Sequence, residues 1–361
     1  MRKFWKAAAV ASLISLLGPR SPVAMELPPE MAEGPRFDGS LSVLTYNIKG
    51  LPWPVALGRS KALRTIASRL RELQSQKRAP DVVVVQEAFT AQARAMGAAA
   101  GYRYIVSGPT ATDVTAAEMS AADHSFAARA SWWKGETEGK YVGSGLQILS
   151  NYPVIAVHSM AFPAFACAGF DCLANKGALL VTLDIPGAAS PIDIVTTHLN
   201  SRTASRVPDE RSIYAYRKQV EALAQFIRRT HNPRYPLIAA GDFNVGSALP
   251  RRTALIDAVR SEWAPGTSVR DALNDYRNHG KILNSDAAYS LERARDWQFY
   301  SDGTAQKLTL TGIDVPFGRN DIDGMLSDHV GYVARFRLDM PDTGKSDGPV
   351  TSFALSKKLR F

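Results

Sequence analysis

LIAAGDFN, residues 237–244, decides the fold: four apolar residues, a glycine, then Asp242 and Asn244 flanking Phe243. The apolar run predicts a buried strand, and Gly241 marks its exit. Polar residues just past a strand gather at the sheet rim, where sites assemble. An Asp-Phe-Asn triplet after glycine is by itself most often only a turn. It gains weight because the same arrangement recurs along the chain. Thr45-Tyr46-Asn47 closes one apolar run and Gln86-Glu87 another; Thr197-His198-Leu199-Asn200 closes a third, and Ser327-Asp328-His329 precedes the last.

Outward from 237–244, β-rich apolar runs predict strands at Leu41–Tyr46, Asp81–Gln86, Tyr102–Val106, Leu146–Ser150, Ala178–Leu183, Ile192–Thr197, Leu237–Ala240, Trp297–Ser301 and Gly331–Leu338. Apolar residues at helical spacing predict helices at Lys61–Gln76 and Ser212–Arg229, with a weaker one at Arg251–Arg260. On the second helix Arg211, Arg217 and Gln219 read as solvated, with Arg211 able to reach the rim. Strands outnumber helices and do not alternate strictly with them, which predicts a layered sandwich with helices outside. Residues 107–143 are rich in Ala, Ser and Thr and read as a long loop excursion with some helix.

The chain has 361 residues, two cysteines and a formal net charge of +9. Four cations (Arg2, Lys3, Lys6, Arg20) precede residue 25 with no acid among them, so the remainder carries 39 basic against 34 acidic residues, or +5. No dense basic run remains, which weakens a nucleic-acid reading. The basic start and the short apolar run Ala7–Leu17 predict a signal peptide at 1–24 and export to the periplasm or medium. A linker at 25–40, a catalytic domain at 41–338 and a tail at 339–361 follow. In an oxidising compartment, Cys167 and Cys172 are expected to form a disulfide.

Hard oxygen donors plus two histidines at one rim suit Mg²⁺-assisted phosphoryl chemistry. In order and identity, Thr-Tyr-Asn at 45–47, Gln-Glu at 86–87, Thr-His at 197–198, Gly-Asp-Phe-Asn at 241–244 and Ser-Asp-His at 327–329 resemble the endonuclease/exonuclease/phosphatase superfamily over residues 41–338. The resemblance implies the four-layer α/β/β/α sandwich of deoxyribonuclease I and a metal-dependent phosphoric diester hydrolase. Asn47-Ile48-Lys49-Gly50-Leu51-Pro52-Trp53-Pro54, GLQILSNYP at 145–153 and CAGFDCLANKGALL at 167–180 are similar to secreted bacterial sphingomyelinases, which are phospholipase C-type enzymes. Asp296-Trp297-Gln298 departs from the family pattern, with Asp296 taken as the matching acid. No long apolar hairpin of the kind some sphingomyelinases use to enter membranes is recognisable.

What the resemblance implies is a site with Mg²⁺ or Mn²⁺ on Glu87 and Asn47, assisted by Asp328. His329, oriented by Asp296, would take the proton of the attacking water. His198 would bond the phosphoryl oxygens or protonate the leaving group, and Asp242 and Asn244 would position nucleophile and transition state. Asp171 and Lys176 would form a substrate-proximal pair, although Lys176 equally reads as an ordinary exposed lysine. Trp53, Trp132 and Trp133 read as packing residues or as anchors at a membrane surface. The expected substrate is a phospholipid, and the expected state a monomer. A secreted nuclease and a non-catalytic binding or toxin module on the same scaffold are the alternatives; the full set of acids and histidines counts against the second.

Overall fold

Val82-Val83-Val84-Val85 is apolar at every position, and successive strand side chains point to opposite faces, so this strand must be covered on both. Val82 and Val84 join a cluster with Leu179, Val181, Ile194 and Ile238, whereas Val83 and Val85 meet Leu63, Ile66 and Leu70 of a helix. The computed structural model describes residues 38–339 except 54, 265 and 320–322. The signal peptide, most of the linker and nearly all of the tail expected from the sequence lie outside the described residues.

The strands are β1 Ser40–Asn47, β2 Val82–Gln86, β3 Tyr104–Ser107, β4 Gln147–Ser150, β5 Val154–Ala161, β6 Gly177–Leu183, β7 Ile192–His198, β8 Leu237–Asp242, β9 Arg270–Asp271, β10 Asp296–Ser301, β11 Lys307–Phe317 and β12 Gly331–Asp339. The helices are α1 Arg59–Ser75, α2 Ala91–Arg94, α3 Met96–Ala100, α4 Ala121–Ala128, α5 Arg202–Ser205, α6 Asp209–Thr230, α7 Leu249–Ala258, α8 Ala272–Asn278 and α9 Ser285–Arg293. Two six-stranded sheets result, ordered β11-β12-β1-β2-β4-β3 and β5-β6-β7-β8-β10-β9. The pairs β1/β2 and β7/β8 are parallel and the others antiparallel.

The inner faces of the sheets meet through Leu41, Val43, Val84 and Ile148 on one side and Leu179, Val181, Ile194 and Ala240 on the other. The outer face of the first sheet is covered by α1 and α3, and that of the second by α6 and α7 through Tyr216, Val220, Leu223, Ile227 and Leu255. This is the four-layer α/β/β/α sandwich. At ~25 cal/mol per Å² of buried apolar surface, these three interfaces are the main stabilising contribution.

All nine expected strands form, within a few residues of their expected ends. β5 and β11, which no sequence pattern flagged, are edge strands. With one side facing solvent they tolerate polar residues such as His158, Thr309, Thr311 and Asp314, so they lack a continuous apolar run. β11 also has two register shifts. The excursion 107–143 holds one helix, α4, started by a capping box of Ser120 and Asp123, and a short 3₁₀ turn at Trp132–Lys134.

Candidate active site

Strand register does most of the assembly. Asp242 at the end of β8 is paired with His198 of parallel β7 on one side and with Asp296 of antiparallel β10 on the other. Three polar residues therefore stand in one row across adjacent strands, which are ~4.8 Å apart. In the facing sheet Asn47 is paired with Gln86, so Glu87 follows at the same rim. His329 arrives two residues ahead of β12. Gly241 lets β8 approach β7: a Cβ there would lie 2.3 Å from the Thr197 carbonyl oxygen. Glu87 (φ 61°) and Asn244 (φ 48°) hold left-handed backbone, a strained conformation that clusters at functional sites.

The side chains converge on Asp242. Its Oδ2 accepts from Asn47 Nδ2 at 3.1 Å and faces His198 Nε2 at 3.5 Å and His329 Nε2 at 3.7 Å. Its Oδ1 accepts the Asn244 amide at 3.0 Å. Asn47 Nδ2 also donates to Glu87 Oε1 at 2.9 Å. His329 Nδ1 sits 2.8 and 2.9 Å from the two oxygens of Asp296, which fixes the ring and turns Nε2 toward Asp242. Ser327 Oγ donates to the Asn47 carbonyl at 2.6 Å, tying the loop before β12 to the end of β1.

The two histidines are driven apart. Burial, reinforced by the Lys176 charge, pushes His198 down to about 3, so it is neutral. Burial also disfavours charge on His329, but Asp296 and Asp242 outweigh it and raise this group to about 9. Burial pushes the Glu87 carboxyl up against the Asn47 hydrogen bond. Asp328 is pushed up by burial, but His329 and Lys49 outweigh that and hold it below the ordinary value.

Asp328 does not join this group: its half-exposed carboxylate pairs with Lys49 Nζ at 3.3 Å. Asp171 and Lys176 form a buried ion pair at 2.8 Å. Lys176 Nζ also donates to the Leu199 carbonyl, and Asp171 accepts from Asn200 Nδ2 at 2.6 Å and from the Ser201 amide. Lys176 is thus not an exposed lysine; its charge is spent on Asp171 and felt by His198 and Glu87. Cys167 and Cys172 are disulfide-bonded around Asp171.

Three expectations are corrected. Trp53, Trp132 and Trp133 are 78%, 69% and 71% exposed, which removes the packing reading. Gln219 is buried rather than solvated, accepting the Asn200 amide and donating to the Ala166 carbonyl. Arg211 is not solvated: it pairs with Glu136 at 2.6 Å and stacks over Phe126, because a buried carboxylate is a better partner than solvent. The sequence also gave no sign of Arg59, which donates to the carbonyls of Ile48, Lys49 and Leu326, or of fully buried Arg251. Both serve backbone carbonyls, and no residue motif encodes such partners. Gln298, in the tripeptide that departs from the family pattern, donates across to the Val43 and Tyr332 carbonyls and ties β10 to the other sheet.

The donor set fits a hard divalent cation. Glu87 and Asp242 bring carboxylate oxygens to either side of the Asn47 side-chain NH₂, and the Asn47 amide oxygen, which accepts from the Lys49 backbone, lies on the same side chain. Asp242, Asp296 and His329 each present a ligand atom within 4.8 Å of the others. Among the described residues no cation lies within ion-pair distance of Glu87, and a desolvated carboxylate lacking one is costly.

The sequence profile of the Endonuclease/Exonuclease/phosphatase family matches residues 44–329. No curated protein matches the chain in sequence. Among solved structures, sphingomyelinase C from Streptomyces griseocarneus is similar at 22% identity and a TM-score of 0.54, covering 82% of this chain and 99% of that one. A beta toxin variant from Staphylococcus aureus with bound magnesium ions is similar at 17% identity and TM-score 0.53, with coverage of 82% and 99%. D. rerio TDP2 complexed with single-strand DNA product is similar at 17% identity and TM-score 0.53, with coverage of 83% and 99%.

Proposed function

The chain belongs to the Endonuclease/Exonuclease/phosphatase family, and from that premise we propose that it is an exported, sphingomyelinase-like phospholipase C acting on a choline-type phospholipid. That it is a metal-dependent phosphodiester hydrolase follows from the family itself. The observation that carries the reading is the meeting of Asn47, His198 and His329 on one oxygen of Asp242.

In this mechanism Glu87 and Asn47 would hold Mg²⁺ or Mn²⁺, with Asp328, next to His329 in the chain, assisting through water. Bound there, the cation would supply charge to offset that growing on the phosphate. Asp296 orients His329. With a cation bound beside it to offset the carboxylates that hold its proton, the neutral ring's Nε2 would take a proton from the attacking water, with Asp296 stabilising the imidazolium formed. Asp242, held by the Asn244 amide, keeps both imidazoles aimed at the same point. Neutral His198 donates a hydrogen bond there, and Asn244 fixes the loop by donating its side-chain amide to the Leu199 carbonyl at 3.0 Å. Lys176, held in place by Asp171, sets its ammonium where His198 and Glu87 feel it.

Two loops support lipid over nucleic acid. Trp53 lies six residues past Asn47, and Trp132 and Trp133 stack at 6.2 Å beside Lys134, which lies over the Phe170 ring at 5.7 Å. Exposed indoles next to a lysine suit a lipid–water interface, and a monomer presents them freely. The test is parallel incubation of the mature protein with sphingomyelin, phosphatidylcholine and plasmid DNA in Mg²⁺. Phosphocholine release is expected. Nicking of plasmid without phosphocholine would replace this reading by the nuclease one.

A further inference from the structure

Arg251 is fully enclosed, yet among the described residues no carboxylate lies within ion-pair distance of it. Its partners are neutral: Nη1 donates to the carbonyls of Asn200 and Asn244, Nη2 to the carbonyl and hydroxyl of Ser212, and the guanidinium stacks over Tyr216 at 4.5 Å. A buried cation with no counter-charge is expensive, and a leucine would fill the space more cheaply. Stability therefore does not explain it.

What distinguishes Arg251 is where two of its bonds go. Asn200 lies two residues past His198, and Asn244 two residues past Asp242. These rim loops come from neighbouring parallel strands and have no covalent reason to keep their spacing. Asn244 holds left-handed backbone, and its amide donates to Asp242 Oδ1 at 3.0 Å. We propose that Arg251 is a positioning residue for phosphodiester hydrolysis. Its fork fixes the separation of the two loops, and through the Asn244 amide it fixes the direction of Asp242 toward His198 and His329. Lysine, a single donor centre, cannot span both carbonyls and Ser212. The inference rests on the hydrolase reading above.

The test compares wild type, Arg251→Lys, Ser212→Ala and Leu255→Ala. Leu255, on the same helix, is fully buried but touches no rim loop through hydrogen bonds. Turnover of bis(4-nitrophenyl) phosphate in Mg²⁺, urea unfolding and hydrogen exchange of the Asn244 amide are measured on each. Arg251→Lys should lower kcat by on the order of 10²-fold with KM within about threefold, and should speed Asn244 exchange. Ser212→Ala should do both to a smaller degree, while Leu255→Ala loses stability with kcat and Asn244 exchange close to wild type. Wild-type kcat and exchange in Arg251→Lys, or in Ser212→Ala if the lysine variant does not fold, overturns the proposal. So does an equal kcat loss in Leu255→Ala. An inactive wild type would refute the hydrolase reading, and the exchange measurement would still decide the role of Arg251.

Discussion

Asp296→Asn removes the charge that faces His329 and leaves its shape. In the metal-free protein burial alone would depress the His329 imidazole, yet Asp296 and Asp242 carry it from 6.5 to about 9. Each unit of that shift corresponds to about 1.36 kcal/mol, so the folded state binds this proton more tightly than the unfolded chain by on the order of 3 kcal/mol. A base whose folded value is raised holds its proton where the unfolded chain has lost it. The stabilisation is therefore complete below pH 6.5 and declines as pH rises toward 9. Urea unfolding in EDTA at pH 6.5, 8 and 9.5 should show the wild type losing most of that amount. In Asp296→Asn only Asp242 and Glu87 still oppose burial, so the imidazole should titrate well below the wild type's value and the loss of stability across the same range should shrink. NMR titration of the His329 ring in both proteins gives the two values directly. A flat wild type, or an Asp296→Asn variant with the wild-type slope, would refute the assignment of the shift to Asp296.

Chelation should abolish hydrolysis and Mg²⁺ or Mn²⁺ should restore it, since a site with few oxygen ligands binds reversibly; full activity in excess chelator after dialysis would contradict the metal assignment. Asp242→Ala should lower the rate by on the order of 10²–10⁴-fold in a soluble phosphodiester assay, because three groups lose their common anchor. Reducing Cys167–Cys172 should cost about 2 kcal/mol of stability for so short a loop, and should also lower activity by freeing Asp171, which urea unfolding and turnover measure separately. Replacing Trp132 and Trp133 by Ala should weaken hydrolysis of vesicle lipid more than of a soluble diester, and equal losses would remove the interfacial role.

The sequence by itself determined the strands and their polar exits. A buried strand needs apolar side chains on both faces, and Val82–Val85 or Ala178–Val181 can be little else. It also marked the candidate site residues, because Asn47, Glu87, His198, Asp242, Asp296 and His329 each lie at or just beside the end of such a run. Only the tertiary structure decided how those ends meet. Register set Asp242 between His198 and Asp296, and the stacking of the two sheets brought Asn47 and Glu87 opposite. The charges were equally invisible in sequence: His198 and His329 are chemically identical, and only their different burial and neighbours send one to about 3 and the other to about 9. The same holds for Lys176, Gln219 and Arg251, polar residues that local pattern assigns to solvent. Each is buried because its partner, an acid, a backbone amide or a backbone carbonyl, reaches it only in the folded chain.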